Sequence, residues 1–352
     1  MKALQIVKDF IKVAYGGDKN RFQKEYKALM GKEYSFESPS AGIVVFLRKK
    51  WGLSSDALLR LPEVIEGVKN RNFRHLKNKS NAYFLVSSVL NFLKLLEKEE
   101  LISANRLDYK SQSLDPKLDA ERFIEFYGLS KDEINSFEKI REILEERDIF
   151  VFSLPINHSF HEGIVYVKSP VFIVLSSYIR YPKASFSLAH EVGHLVYSGV
   201  NVGSGEEERL ADKFATHLVV PDGVLDLVKS LKSKASRISY KNRFFIFASL
   251  ICKEFDCKVA PEVALAKLFY CGEINYPEFE KWRKKLLTIQ KRYKNPKVSW
   301  IKKWISSLGV SLPKKYKEAV DKLNVSPSRK EEMLFARILN SGAGEVAGHN
   351  LH

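Results

Sequence analysis

Cysteine is scarce in this sequence. The 352 residues include three, Cys252, Cys257 and Cys271, which is an odd number and too few for a scaffold built on disulfides. Their spacing does not match that of a cysteine-based metal site, so we interpret them as core thiols. The low cysteine content excludes the small disulfide-rich secreted proteins and favours a reducing, cytoplasmic location.

Long uncharged apolar segments are also missing. No run approaches the ~20 apolar residues that a membrane-spanning helix needs, and the apolar start of the chain is interrupted by Asp9. Hydrophobic residues nevertheless make up 45% of the chain and charged residues 28%, which is typical of globular proteins. We therefore expect two or three packed domains, with no membrane partner and no secretion signal.

Positive charge is in excess, but it is unevenly distributed. The 58 Lys and Arg residues outnumber the 42 Asp and Glu residues, which gives a net charge of +16. By segment, the net charge is +8 over residues 1–116, −5 over 117–220 and +13 over 221–352. Such an asymmetry indicates separate tasks for the segments, and the basic ones favour a polyanionic partner.

Composition also predicts where the domains begin and end. The polar segment Asn105–Lys117 lacks apolar periodicity and is the best candidate for a linker. We predict a basic helical N-terminal domain, a central domain, a basic helical C-terminal domain and a flexible tail, over residues 1–116, 117–222, 223–340 and 341–352. A Gly-Leu-Ser-Ser break within Phe46–Leu61 suits either a helix-turn-helix or two ordinary core helices.

The central segment combines helices with short strands, which predicts an α+β fold that is mainly helical with a small β-sheet. Apolar residues recur at steps of three or four in its helices, whereas its strands are β-branched and aromatic. The predicted helices are 119–127, 131–147, 183–198 and 206–219. The predicted strands are 149–155, 163–169 and 171–177.

The motif with the clearest chemical meaning is His190-Glu191-Val192-Gly193-His194, which has the pattern H-E-x-x-H. On a helix, residues four apart lie on one face, so both imidazoles can bind one ion. A bound zinc lowers the pKa of its water to ~7, and Glu191 can serve as the base. The motif therefore indicates metal-assisted hydrolysis of a carbonyl group such as an amide.

A third protein ligand has to come from another element. The next predicted helix begins with Glu206, Glu207 and Glu208, although an acidic first turn is also favoured by the helix dipole alone. Glu208 is followed one turn later by Asp212, which suits a metal ligand and an acceptor for a ligand imidazole N–H. A helical wheel instead places Glu207 nearer the apolar face, so spacing leaves both residues open.

Other residues near the motif have two interpretations each. Tyr197 follows His194 by about one turn and could stabilise a tetrahedral intermediate or pack in the core. His158 and His161 precede the second strand and are either oxyanion donors or solvated loop residues. We interpret His217 as a surface or packing residue.

The segment Lys281–Lys317 contains thirteen Lys and Arg residues and no acidic residue, with five interleaved Trp and Tyr residues. Cations that pair with phosphates and aromatics that stack on bases are typical of a nucleic-acid surface. The aromatics are also helically spaced, so a core role is the alternative. The candidate DNA contacts are Lys284, Lys285, Lys291, Arg292, Lys302 and Lys303.

The stretch from about Asp119 to Pro221 resembles the ImmA/IrrE family of zinc metallopeptidases. The resemblance rests on the order of helices and strands and above all on two motifs, FSLAHEVGHLVYSG and EERLADKFATHLVVP. It implies a zincin-like metallopeptidase domain over 117–222 with one zinc ion on His190, His194 and Glu208. In this family pattern Glu191 is the base, and Glu207 remains the alternative third ligand.

The resemblance also implies a biological role. It suggests an intracellular zinc endopeptidase that cleaves a regulatory protein, typically a helix-turn-helix repressor, so that repression is relieved in a stress response or in the control of a mobile element. The basic flanks would then keep the enzyme near DNA. The alternative is a DNA-binding regulator or scaffold whose metallopeptidase-like domain acts as a sensor and hydrolyses little.

Overall fold

The computed structural model describes residues 7–8, 10–11, 15, 17–36, 42–43, 45–46, 60–69, 80–103, 107–111, 113–130, 133–156, 162–234, 240–292 and 297–335. Over these residues the chain is mainly helical with one small β-sheet, as the α+β prediction requires. Contacts divide the chain into two compact units, each built from segments distant in sequence. The first consists of Met1–Arg106, Asp148–Ser176 and Val310–His352, and the second of Leu107–Arg147 and Ser177–Gly309.

The first unit contains the sheet and the helices of both chain ends. Its helices are α1 (Lys19–Met30), α2 (Leu61–Gly67), α3 (Ser80–Lys98), α13 (Lys314–Lys322) and α14 (Pro327–Met333). Its strands are β1 (Val68–Lys69), β2 (Phe150–Leu154), β3 (Gly163–Tyr166) and β4 (Phe172–Ser176). The three longer strands lie within the predicted ones, whereas the two-residue β1 was not predicted.

The sheet has the strand order β1-β3-β4-β2. β2 runs parallel to β4, with Phe150 opposite Phe172, and β3 runs antiparallel to β4. β1 pairs antiparallel with β3, where Val68 is opposite Tyr166. Every residue of β2, β3 and β4 is buried, which explains why these strands read as continuous apolar runs rather than as alternating ones.

The sheet groups with the terminal helices, although the sequence assigned it to the central domain. The backbone of Ser153 in β2 pairs with that of Ser311 just before α13. In α13 the ring of Tyr316 packs on Phe152, with centroids 5.0 Å apart. Strand and terminal-helix residues thus share one apolar core. A pattern within the central segment could not predict this, because Ser311 is far from β2 in sequence. The predicted domain boundaries stay predictions.

The regular secondary structure of the second unit is helical over its described residues, apart from one isolated bridge between Arg180 and Ser307. Its helices are α4 (Pro116–Phe126), α5 (Phe137–Glu145), α6 (Tyr181–Val196), α7 (Ser204–Val219), α8 (Gly223–Lys234), α9 (Tyr240–Glu254), α10 (Pro261–Tyr270), α11 (Tyr276–Arg292) and α12 (Ser299–Ile305). Four of them, α4 to α7, were predicted with ends that differ by at most three residues, except that α5 begins six residues after its predicted start. The H-E-x-x-H motif lies on α6, and the acidic run lies in the first turns of α7.

Both ends of α6 are held by other segments of the second unit. At its start, Tyr181 N–H donates to the Ser306 carbonyl at 2.6 Å. At its end, the Lys110 ammonium donates to the Leu195 carbonyl at 2.7 Å, and Ser111 N–H donates to the Val196 carbonyl at 3.0 Å. The Ser111 N–H pairs with a carbonyl at the helix C-terminus, and the Lys110 cation suits the negative end of the helix dipole.

Some sequence predictions fall outside the described residues. The candidate helix-turn-helix lies mainly in 47–59, and the predicted tail lies in 341–352, so both stay predictions. Within the described residues, no helix is both long enough and apolar enough to span a bilayer.

Candidate metal centre

Three side chains from α6 and α7 converge on one point. His190 and His194 lie one turn apart on α6, and their Nε2 atoms are 3.2 Å from each other. Oε2 of Glu208 on α7 lies 3.5 Å from the Nε2 of His190 and 3.8 Å from that of His194. Ligand atoms ~2.0–2.1 Å from a tetrahedral zinc ion stand roughly 3.3 Å apart, so the three atoms have the spacing of a metal site.

Two further carboxylates face the outer nitrogens of the histidines. Asp212 Oδ1 lies 2.8 Å from His190 Nδ1, although off the direction of a well-aligned N–H bond. Glu207 Oε1 lies 3.3 Å from His194 Nδ1. Carboxylates in this position hold a ligand histidine with its proton on Nδ1, so that Nε2 can face an ion.

This geometry distinguishes the two candidates for the third ligand. Glu208 is the residue near both Nε2 atoms, whereas Glu207 contacts the outer nitrogen of His194. The helical wheel correctly indicated that Glu207 points inward, since it is buried. Sequence reasoning missed its contact with His194 because a wheel gives the direction of a side chain but not its partner.

The site concentrates negative charge. Burial lowers the pKa of His190, but the carboxylates of Asp212, Glu208 and Glu191 raise it more strongly in sum, to about 10. A cation between these groups is therefore favoured in the absence of any other compensation. A divalent metal ion fits this need, and its donor set of two imidazoles and one carboxylate leaves a fourth position open, as in catalytic zinc sites.

Glu191 lies beside this cluster and is only 2% exposed. Its Oε2 has no hydrogen-bond partner among the described residues. Burial raises the pKa of Glu191, and the neighbouring histidines oppose this effect. A buried carboxylate with an unpaired oxygen and a raised pKa is well suited to accept and return a proton near neutral pH.

The structure gives Tyr197 a packing role. Its side chain is fully buried, and its hydroxyl donates to Asp119 Oδ2 at 3.1 Å. Asp119 also accepts hydrogen bonds from the hydroxyls of Tyr109, Ser111 and Ser113, at 3.2, 2.6 and 3.1 Å. Four donors thus compensate one buried carboxylate, and they join α4, the end of α6 and the segment before α4. Of the two interpretations of Tyr197, these contacts favour packing.

The other predicted histidines lie elsewhere. His158 and His161 are outside the described residues. His217 lies near the end of α7, where its Nδ1 is 3.1 Å from Lys267 Nζ. It is therefore a partner of a buried lysine rather than part of the metal centre.

The candidate DNA contacts are partly exposed. Lys284, Lys302 and Lys303 are exposed, and Lys303 pairs with Asp256 at 2.7 Å. Lys285 is half-buried, and the side chains of Lys291 and Arg292 lie outside the described residues.

The aromatics of the basic segment are largely inside the protein. Trp304 and Tyr316 are fully buried, and Trp282 and Trp300 are half-buried. Buried rings cannot stack on bases, so the core interpretation holds for Trp304 and Tyr316. A DNA interface built on the exposed lysines stays a prediction.

Comparison with known proteins finds no matching family model, curated protein or solved structure.

Proposed function

We propose that this protein is a zinc-dependent endopeptidase. The observation that supports this most directly is the convergence of His190 Nε2, His194 Nε2 and Glu208 Oε2 within 4.8 Å of one another. His190, His194 and Glu208 would hold the ion, with Asp212 and Glu207 orienting the two imidazoles. When bound, zinc lowers the pKa of water and polarises the carbonyl that is attacked.

The chain's own residues would handle the proton. Glu191 Oε2 would accept a proton from the attacking water and then donate it to the nitrogen of the leaving amine. Its burial supports this role, because a raised pKa matches a carboxylate to proton transfer near neutral pH. The His194 imidazole, held at Nδ1 by Glu207, would need little reorganisation during the reaction.

The substrate is proposed from the sequence resemblance alone. It would be a regulatory protein, in particular a helix-turn-helix repressor in the cytoplasm, whose cleavage relieves repression. The basic flanks would bring the enzyme to its DNA-bound target. The alternative, a DNA-binding regulator with a sensor domain of this shape, has no need for a buried carboxylate base such as Glu191.

Two variants test the proposal. Glu191→Gln should retain one zinc ion per chain, because the base is not a ligand, and should lose cleavage by a factor of about 10²–10⁴. His194→Ala should lose both zinc and cleavage. The readouts are elemental analysis of the purified protein and profiling of new protein N-termini in cells that express each form.

The outcomes separate the two functions. New N-termini that depend on the wild-type protein and vanish in both variants support the peptidase. If Glu191→Gln generates the same N-termini, or if the wild type generates none, the proposal fails. A metal-free wild type with steeply salt-dependent DNA binding would favour the regulator instead.

A further inference from the structure

A cavity in the second unit contains none of the candidate metal ligands in its lining. It has a volume of about 390 Å³ and lies between α4, the end of α7, the start of α8 and α10. His217, which lines the cavity, is nine positions after Glu208 on α7, or about 13.5 Å along the helix. Cavities of about 300–1,000 Å³ are the size range of small-molecule sites.

One wall of the cavity contains a buried lysine. Lys267 on α10 is only 3% exposed, and its Nζ lies 3.0 Å from Asp222 Oδ1 and 3.1 Å from His217 Nδ1. Burial and the charge of Lys267 lower the pKa of His217 to about 4, so this histidine is neutral near pH 7 and accepts a hydrogen bond from the ammonium. An ammonium has three donors, and the described residues use two of them.

The partner that neutralises Lys267 is easily displaced. The side chain of Asp222 is 74% exposed, so it can turn into water at little cost in solvation. A ligand anion inside the cavity could then replace it on Lys267. The half-solvated ion pair between Lys267 and Asp222 would then be replaced by a buried ion pair between Lys267 and the ligand. The donor, the Lys267 ammonium, is already in place.

Charge and polarity limit what this ligand can be. The cationic lining residues Lys267 and Lys117 are balanced by Asp222 and Glu121. Once Asp222 turns into water, one positive charge remains in the lining, which suits a monoanion rather than a dianion such as phosphate. The rest of the lining is mostly apolar, namely Ile124, Ile134, Val220, Pro221 and Gly223. Such a surface favours a compact hydrocarbon body.

We propose that this cavity is a binding site for a small monocarboxylic acid with an apolar body, whose carboxylate pairs with Lys267 in place of Asp222. The apolar body packs against Ile124, Ile134 and Val220. The site is distinct from the metal centre, and the proposal does not depend on peptidase activity.

Calorimetric titration of the full-length protein tests this site. The probes are hexanoate, octanoate and benzoate, with octan-1-ol as the neutral control and inorganic phosphate as the dianion control. At least one acid should bind with a stoichiometry of one, and neither control should bind comparably. Lys267→Met keeps the aliphatic stem but should weaken binding about tenfold or more, as expected when one partner of a buried charge pair is removed.

A second variant should change the affinity for the acid in the opposite direction. Asp222→Asn removes the competing carboxylate from an exposed position and should tighten binding of the same acid several-fold. His194→Ala removes a proposed metal ligand and should leave the affinity unchanged, which excludes binding of the acid to the metal. The proposal is overturned if no acid binds or if the alcohol binds equally well. It is also overturned if His194→Ala alters the affinity while Asp222→Asn and Lys267→Met do not.

Discussion

Gly193 on α6 lies directly against Ala211 on α7. A Cβ atom placed on Gly193 would come 2.9 Å from the Ala211 Cα atom and 3.0 Å from its Cβ atom. The two backbones can therefore approach only because one residue has no side chain and the other has a single methyl group. This contact sits between the ligands, since Gly193 precedes His194 and Ala211 follows Glu208 by three residues.

Gly193→Ala should therefore weaken the metal site as well as the fold. The added methyl group meets backbone that cannot move aside, so we expect a loss of about 1–3 kcal/mol in the free energy of unfolding. Separation of α6 from α7 should also draw Glu208 away from the histidines and lower the affinity for zinc. Urea unfolding with and without a chelator, together with zinc competition, measures both effects.

Gly203→Ala is the matched control for this variant. Gly203 precedes α7, has an ordinary negative φ and has open space around its Cβ position. It should lower the stability by about 1 kcal/mol or less, because Gly203 is the N-cap of α7 and Ala caps a helix less well than Gly. Equal losses of stability in the two variants would argue against close helix packing as the cause of the loss in Gly193→Ala.

The two glutamates at the start of α7 should differ in their effect on zinc. Glu208→Gln should lower the affinity by more than about 100-fold, because the proposed third ligand is lost, whereas Glu207→Gln should lower it by about 10–100-fold through the orientation of His194. Competition with a chromophoric chelator measures both. Glu206→Gln is the control, since the Glu206 side chain is 42% exposed and pairs with Arg209. A larger loss in Glu207→Gln than in Glu208→Gln would reverse the assignment.

Tyr197→Phe should destabilise the protein without impairing its chemistry. The variant removes one of four donors to buried Asp119, and hydrogen bonds to charged groups contribute about 1.5–3 kcal/mol. Tyr109→Phe removes another donor to the same carboxylate and should act similarly. Thermal unfolding and the zinc content of the folded protein are the measurements. A loss of cleavage of 100-fold or more with unchanged stability would restore Tyr197 as a stabiliser of the transition state.

His217 should make the protein less stable in mild acid. Its pKa is lowered to about 4 by burial and by Lys267, so between pH 6.5 and pH 4 the unfolded chain binds a proton that the folded chain does not. Stability should therefore fall as the pH decreases through this window. Because the side chain is partly exposed, we expect only part of the shift to act, about 1 kcal/mol.

His217→Gln isolates this contribution. Glutamine can still accept a hydrogen bond from Lys267 but does not titrate. Urea unfolding at pH 7 and at pH 5 should show a smaller loss of stability in the variant than in the wild type. An identical loss would exclude His217 as the titrating group.

Local patterns predicted four helices of the central segment and three strands, but they could not predict which elements pair. The spacing of apolar residues predicted α6 and α7, and β-branched runs predicted β2 to β4. The pairing of Ser153 with Ser311 joins positions over 150 residues apart, and no local signal encodes it. The two-residue β1 exists only because β3 provides its hydrogen bonds.

The candidate site likewise has one part that local patterns predict and one part that they do not. His190, Glu191 and His194 are readable because one helix presents them at a fixed spacing. The choice between Glu207 and Glu208 depends on the approach of a second helix, which spacing does not specify. The buried hydrogen-bond network of Asp119 was missed for the same reason, since its four donors come from separate segments. The position of this acidic residue between Leu118 and Ala120 on an amphipathic helix is a weak signal of burial.

The short segment 107–113 has a consequence for how this protein can be shortened. It supplies Lys110 and Ser111 to the end of α6 and three hydroxyls to Asp119. A fragment that begins at Lys117 would retain the H-E-x-x-H helix but leave Asp119 buried with a single donor, which costs more than the lost bonds alone. A truncated form that keeps the candidate metal centre should therefore begin upstream of Leu107, since removing these few polar residues would loosen the helix that carries both histidines.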